Sequence, residues 1–138
     1  MEHILEQNNR YSCALSPQGV AAATTSAYYA LIEYGIAAFV VQAAAAAGNA
    51  VFQVMQATNA AAGSAKTMTN GPQSGTVTLT GDGSTAQCDV IECTDRDLDV
   101  ANLFTHVAVR VTPSAGTITI SSVLDRGQCR HARATMPA

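Results

Sequence analysis

From Val20 onward the chain consists of short runs in which apolar and polar residues alternate with a period of two, punctuated by Gly, Asn, Ser and Asp. Such a period belongs to an extended strand with one buried face, because successive side chains point to opposite sides. Val107, Val109 and Val111 fall on one face, and His106, Ala108 and Arg110 on the other. Ile118, Ile120 and Leu124 repeat the pattern after Pro113-Ser-Ala-Gly116, which reads as a hairpin turn. Val77 and Leu79 alternate with Thr76, Thr78 and Thr80 until Gly81-Asp-Gly83 ends the run. Residues 51–56 and 87–92 make two more strands, and Tyr28–Glu33 and Ile36–Val41 complete a set of seven or eight. Many short strands with frequent turn signals predict an all-β fold, an antiparallel β-sandwich of jelly-roll type.

One segment resists that reading. Residues 37–50 are dense in alanine, the best helix former. Val40, Val41 and the Gly48-Asn49 pair favour a β-hairpin instead, with strands near 36–43 and 50–57 and a tight turn between them. Residues 57–68 read as a loop or one helical turn. Ahead of the strands, residues 1–17 read as an N-terminal arm. Glu2–Asn9 could wind two helical turns, but Gln7-Asn-Asn-Arg10 and Ser16-Pro17 interrupt it. A segment so short is marginal alone in water, so the arm is expected to pack on a neighbouring subunit. The expected organisation is arm 1–17 and a single sandwich domain 18–138.

Composition narrows the partners. Charged residues make up 12% of the chain and 26 residues are alanine, against about 25% charge in ordinary soluble domains. A chain this poor in charge suits a membrane or a surface covered by other protein. The longest apolar stretch, Gly35–Ala47, is broken by Gln42 and is shorter than the roughly 20 residues of a membrane span. The N-terminus carries Glu2 and Glu6 and no basic region, unlike a secretory signal, so synthesis in the cytoplasm and no membrane partner are expected. The net charge is −3, and the seven basic residues are scattered. Only the loose group Arg126, Arg130 and Arg133 approaches a cluster, so nucleic acid is not an expected partner.

The chemical inventory is thin. No Gly-x-Ser-x-Gly elbow, phosphate loop or His-Glu-x-x-His is present. Asp95, Asp97 and Asp99 have the spacing that opens a calcium loop, but Val100 stands where the turn glycine belongs and His106 where the bidentate Glu belongs. The cluster reads as a solvated loop or the cap of a short turn near 98–102, with a weak cation site as the alternative. Cys88 and Cys93, five positions apart, would face opposite sides of one strand, and zinc-type ligand spacing is absent from Cys13, Cys88, Cys93, Cys129, His3, His106 and His131. The cysteines read as small buried hydrophobes without disulfides, and His106 as a structural or interface residue. No catalytic, cofactor-binding or metal-binding residue is expected, and the chain is not expected to be an enzyme.

Three stretches carry a family resemblance. Phe52-Gln-Val-Met-Gln-Ala-Thr-Asn-Ala-Ala-Ala-Gly-Ser-Ala-Lys66, residues 97–112 and residues 121–133 resemble motifs of small structural proteins of tailed bacteriophages. His131 takes the place of an expected aromatic, and the tail proline comes late, at Pro137. The resemblance implies a virion protein on the capsid surface: a head decoration, cement or minor capsid protein, β-rich and homotrimeric, with the major capsid protein as partner. Alternatives are another virion station, such as a head-fibre base, connector or tail protein, and an Ig-like module that binds the host surface. A sugar site would need aromatic platforms, and with no Trp and only Tyr11, Tyr28, Tyr29 and Tyr34 as tyrosines this chain is poorly equipped for one. The small apolar residues cluster in residues 20–65, so that half is expected to carry much of the subunit contact.

Overall fold

A computed structural model describes residues 9–129 of the chain. Its strands are β1 (Arg10–Val20), β2 (Thr24–Thr25), β3 (Tyr29–Ala30), β4 (Tyr34–Ala43), β5 (Ala50–Ala57), β6 (Lys66–Thr67), β7 (Thr76–Leu79), β8 (Gln87–Thr94), β9 (His106–Pro113) and β10 (Ile118–Cys129). They form two antiparallel sheets. The first runs β1-β10-β4-β8; in the second, β9 and β5 are central, β2 and β3 share the free edge of β9, and β6 and β7 share the free edge of β5. Counting each shared edge as one strand leaves eight positions in two sheets of four, joined by repeated crossovers. That connectivity is the jelly roll.

The alternation read from the sequence is what builds the core. Val107, Val109 and Val111 of β9, Ala37, Phe39 and Val41 of β4, Phe52 and Val54 of β5, Ile91 and Cys93 of β8, and Ile118, Ile120 and Leu124 of β10 form one buried cluster between the sheets. Burying each of the larger side chains contributes about 1.5–3 kcal/mol. The alanine-rich segment is a strand, as expected. Its small residues let β4 lie between β10 and β8 at the centre of its sheet, and that tertiary pairing overrides helix propensity.

Four expectations need correction. Residues 36–43 and 50–57 are strands but not a hairpin, since β4 pairs with β10 and β8 while β5 pairs with β9, β6 and β7. The Gly48-Asn49 turn instead carries the chain from one sheet to the other. Likewise Pro113–Gly116 links β9 to β10 across the sandwich. A period of two says which face is buried and not which strand is the neighbour. The arm is also shorter than expected. Residues 10–17 belong to β1, which pairs with β10 over Arg10↔Arg126 to Val20↔Ile118. Ser16-Pro17 does not end the strand, because β1 is an edge strand whose register shifts between Leu15 and Gln18, where a proline can be accommodated. The remainder of the arm, residues 1–8, lies outside the described residues. Of Tyr28–Glu33, only Tyr29–Ala30 pairs as strand.

The loops gather at two ends, separated by the length of β4, about 30 Å at ~3.3 Å per residue. At one end the β4–β5, β7–β8 and β9–β10 loops interlock through Asn49. Its N–H donates to Ser114 Oγ at 2.8 Å, its carbonyl accepts from Ser114 N–H at 2.8 Å, and its Oδ1 accepts from Gly81 N–H at 3.0 Å. At the other end lie the β3–β4, β5–β6 and β8–β9 loops, and with them the residues singled out for chemistry.

Candidate functional site

The β8–β9 loop holds the three aspartates, and the fold sends their carboxylates to different tasks. Asp97 Oδ2 accepts from Thr94 N–H at 2.7 Å and Thr94 Oγ1 at 3.0 Å, closing the end of β8. Asp99 is ion-paired with Lys66 and accepts from Asn102 Nδ2 at 2.8 Å and 2.9 Å. Those partners hold its carboxyl below the usual carboxylate range, the Lys66 hydrogen bond first. Asp95 donates its backbone N–H to Gly35 O at 3.2 Å. Among the described residues no group of three His, Cys, Asp or Glu is arranged to hold a metal ion. A short 3-10 turn does form at Val100–Asn102, but Asp99 leads it without a side-chain cap.

Lys66 extends over the Phe104 ring at 4.5 Å and borders a cleft of about 540 Å³ with Gln56, Thr69, Asn70 and Asp99. Gln56, buried on β5, donates to Thr67 O at 3.4 Å and accepts from Asp99 N–H at 2.9 Å. The polar groups of this cleft thus tie the β5–β6 loop to the β8–β9 loop. None forms a nucleophile–base pair. His106 stands on the outer side of β9, as the alternation predicted, with Nδ1 2.8 Å from Thr105 Oγ1. Partial burial pushes its pKa down.

Arg126, which the sequence marks only as the start of a loose basic group, is 7% exposed and lies between the sheets, sandwiched by the rings of Tyr34 at 4.8 Å and Tyr29 at 5.5 Å. Its Nη1 donates to Ala30 O at 2.8 Å, and Tyr29 Oη donates to Cys13 O at 3.1 Å. Together these contacts bolt β3 of one sheet to β1 and β10 of the other. The alternation Ile118, Ile120, Leu124, Arg126 along β10 carried the signal. Arg130 and Arg133 lie outside the described residues. The cysteines divide: Cys93 is buried and its thiol is pushed up to about 12, chiefly by burial, whereas Cys13 and Cys88 are exposed. The expectation that the cysteines are buried holds for Cys93 and fails for those two, because they project from the outer side of the first sheet.

That outer side is the most distinctive surface of the molecule. Register places Cys13, Val123, Val40 and Val90 in one row across all four strands. Tyr11, Asp125, Ala38 and Glu92 form the next. Val90 and Val123 are 41% and 43% exposed and Tyr11 53%, although valine and tyrosine are ordinarily well covered. Strand β4 is apolar on both sides, through Ile36, Ala38 and Val40 outward and Ala37, Phe39 and Val41 inward. Strands with that character are normally covered on both faces. The expected contact region, residues 20–65, therefore supplies only β4 of this face; β1, β8 and β10 supply the rest.

No family model matches the sequence, and no curated protein matches it significantly. The fold is similar to that of a chain in the structure of infectious bursal disease virus, Gx strain, with a TM-score of 0.54 and 8% sequence identity. The match covers 91% of this chain and 33% of that one, so the present chain spans about a third of the viral protein's length. A chain of the cowpea mosaic virus top component, from naturally occurring empty particles, aligns over 95% of this chain and 91% of its own, with 11% identity and a TM-score of 0.42. At 8% identity the first likeness is one of fold.

Proposed function

We propose that the chain is a virion structural protein that acts by packing its jelly roll against neighbouring subunits of a shell. The observation that carries this reading is the eight-position jelly roll itself, which aligns over 91% of the chain with a chain of a virus structure and, among the described residues, leaves Val90, Val123 and Tyr11 exposed on one sheet face. The reading assigns no catalytic role. Within it, the motif resemblance supports a narrower station: decoration or cement on the outside of a tailed-phage head, bound to the major capsid protein and to its own copies as a homotrimer. Two of the stretches that carry the resemblance lie in β5 with its following loop and in the β8–β9 loop with β9; the third begins in β10. Many identical copies make individually modest contacts collectively strong. Imaging of labelled particles tests the station: signal spread over the shell lattice is expected, and signal at a single vertex would sink the decoration reading.

A further inference from the structure

The outer face of the β1-β10-β4-β8 sheet combines the partly exposed Val90 and Val123 with acidic side chains. Among the described residues on that face the charged side chains are Glu92, exposed, and Asp125, half-buried. They sit in one row, separated by Ala38 on the strand between them. Two strand spacings put them about 10 Å apart, with a methyl group as the floor of the gap. Asp125 Oδ2 accepts from Asn9 Nδ2 at 3.1 Å.

The outer face of the second sheet is the opposite in sign. Its central row is Thr25, Arg110, Gln53 and Thr76, flanked by Thr112, Val51 and Thr78. Among the described residues of these rows Arg110 is the charged one; one of its N–H groups donates to Gln53 Oε1 at 2.8 Å. A guanidinium has five N–H donors in a planar fork that suits carboxylates, so this bond leaves donors to spare. Thr25, Thr78 and Thr112 around it are exposed and uncharged, whereas Ala108 and Met55 in the next row of the same face are buried.

We propose that the β1-β10-β4-β8 face of one copy packs on the β9–β5 face of a second copy, with Arg110 entering between Glu92 and Asp125 and the Val40, Val90 and Val123 row supplying the apolar centre. The inference rests on the shell-building role proposed above and names its contact. Four strands of about eight residues present roughly 500 Å² in projection, a large part of the roughly 800 Å² each partner gives up in a standard interface. Because the two faces differ, the contact is head-to-tail. It propagates into a ring or an open array, as a shell component requires, rather than closing as a twofold dimer.

The test is sedimentation of the full chain over a range of concentrations, with folding of every variant checked by circular dichroism. V90K/V123K alters only half-exposed side chains and is expected to weaken self-association tenfold or more. R110E is expected to weaken it comparably, and to cost at least threefold less in an E92R background, which reports direct coupling of the two positions. Unchanged association of V90K/V123K overturns the proposal. So does loss in V90K/V123K with no effect of R110E, which would place some other surface on this face. A wild-type chain that stays monomeric yet sediments with empty shells overturns this contact and leaves the virion reading standing. A monomer that also ignores shells removes both.

Discussion

Replacing Gly81 by alanine probes the interlocked loop end where a single methyl group has nowhere to go. A Cβ there would lie well inside 3.0 Å of the carbonyl oxygens of Gly48 and Ala46, both backbone atoms of the β4–β5 loop. Neither oxygen can retreat without moving the crossover between the sheets. Separating the loops would strain the bond from Gly81 N–H to Asn49 Oδ1, 3.0 Å, and that from Gly83 N–H to Ala46 O, 2.9 Å. Overpacking of this kind costs about 1–3 kcal/mol, and two displaced hydrogen bonds about 1 kcal/mol each. The sum, about 3–5 kcal/mol, is a large fraction of the roughly 5–15 kcal/mol that holds a domain folded. Gly83→Ala is the control: nothing lies within 4 Å of its Cβ position, and its φ of 75° is the source of strain, for a cost of about 1–2 kcal/mol. Urea unfolding of the two variants and the wild type, compared by midpoint at constant slope, reads the difference. If Gly81→Ala proves no less stable than Gly83→Ala, the interlock is not as described.

Three further outcomes follow from the site geometry. Under a thiol-alkylating reagent, peptide mapping should find Cys13 and Cys88 modified in the native protein and Cys93 only after unfolding, since burial pushes its thiol up to about 12. His106 has a lowered pKa in the folded chain, so the unfolded chain binds its proton more readily. Stability from this residue is therefore constant above the ordinary value near 6.5 and falls as pH drops below it toward the folded value. The stability lost between about pH 7 and about pH 5 should be smaller in His106→Gln than in the wild type, measured by denaturant unfolding at each pH. Asp97→Ala removes the acceptor of both Thr94 bonds and should lower stability by about 1–3 kcal/mol, with faster amide exchange at Thr94 as the local signature.

The parts of the fold legible in the sequence are those that local periodicity encodes. Val107, Val109 and Val111 declared the buried side of β9, and Val40 with Val41 outweighed the surrounding alanines to make β4 a strand. Strand partnership was not legible, because it depends on crossovers between sheets: the same Gly48-Asn49 and Pro113–Gly116 signals serve a hairpin or a sheet-to-sheet link equally well. Strand β1 was hidden by Ser16-Pro17, tolerable only because its position is at a sheet edge. The burial of Arg126 was not legible, because Tyr29 and Tyr34, which enclose it, are distant in sequence. The exposed valine row was invisible for a related reason. Val90 and Val123 each look like ordinary strand residues, and only the register through Val40 joins them into a surface.

The central proposal, that this jelly roll builds or coats a shell, is tested most directly by sedimenting the purified full chain alone and then mixed with empty phage head shells. The account predicts species heavier than the 14.2 kDa single chain, growing with concentration, and co-sedimentation with the shells at a saturable ratio. A single 14.2 kDa species at every concentration, left in the supernatant when shells are pelleted, would contradict it.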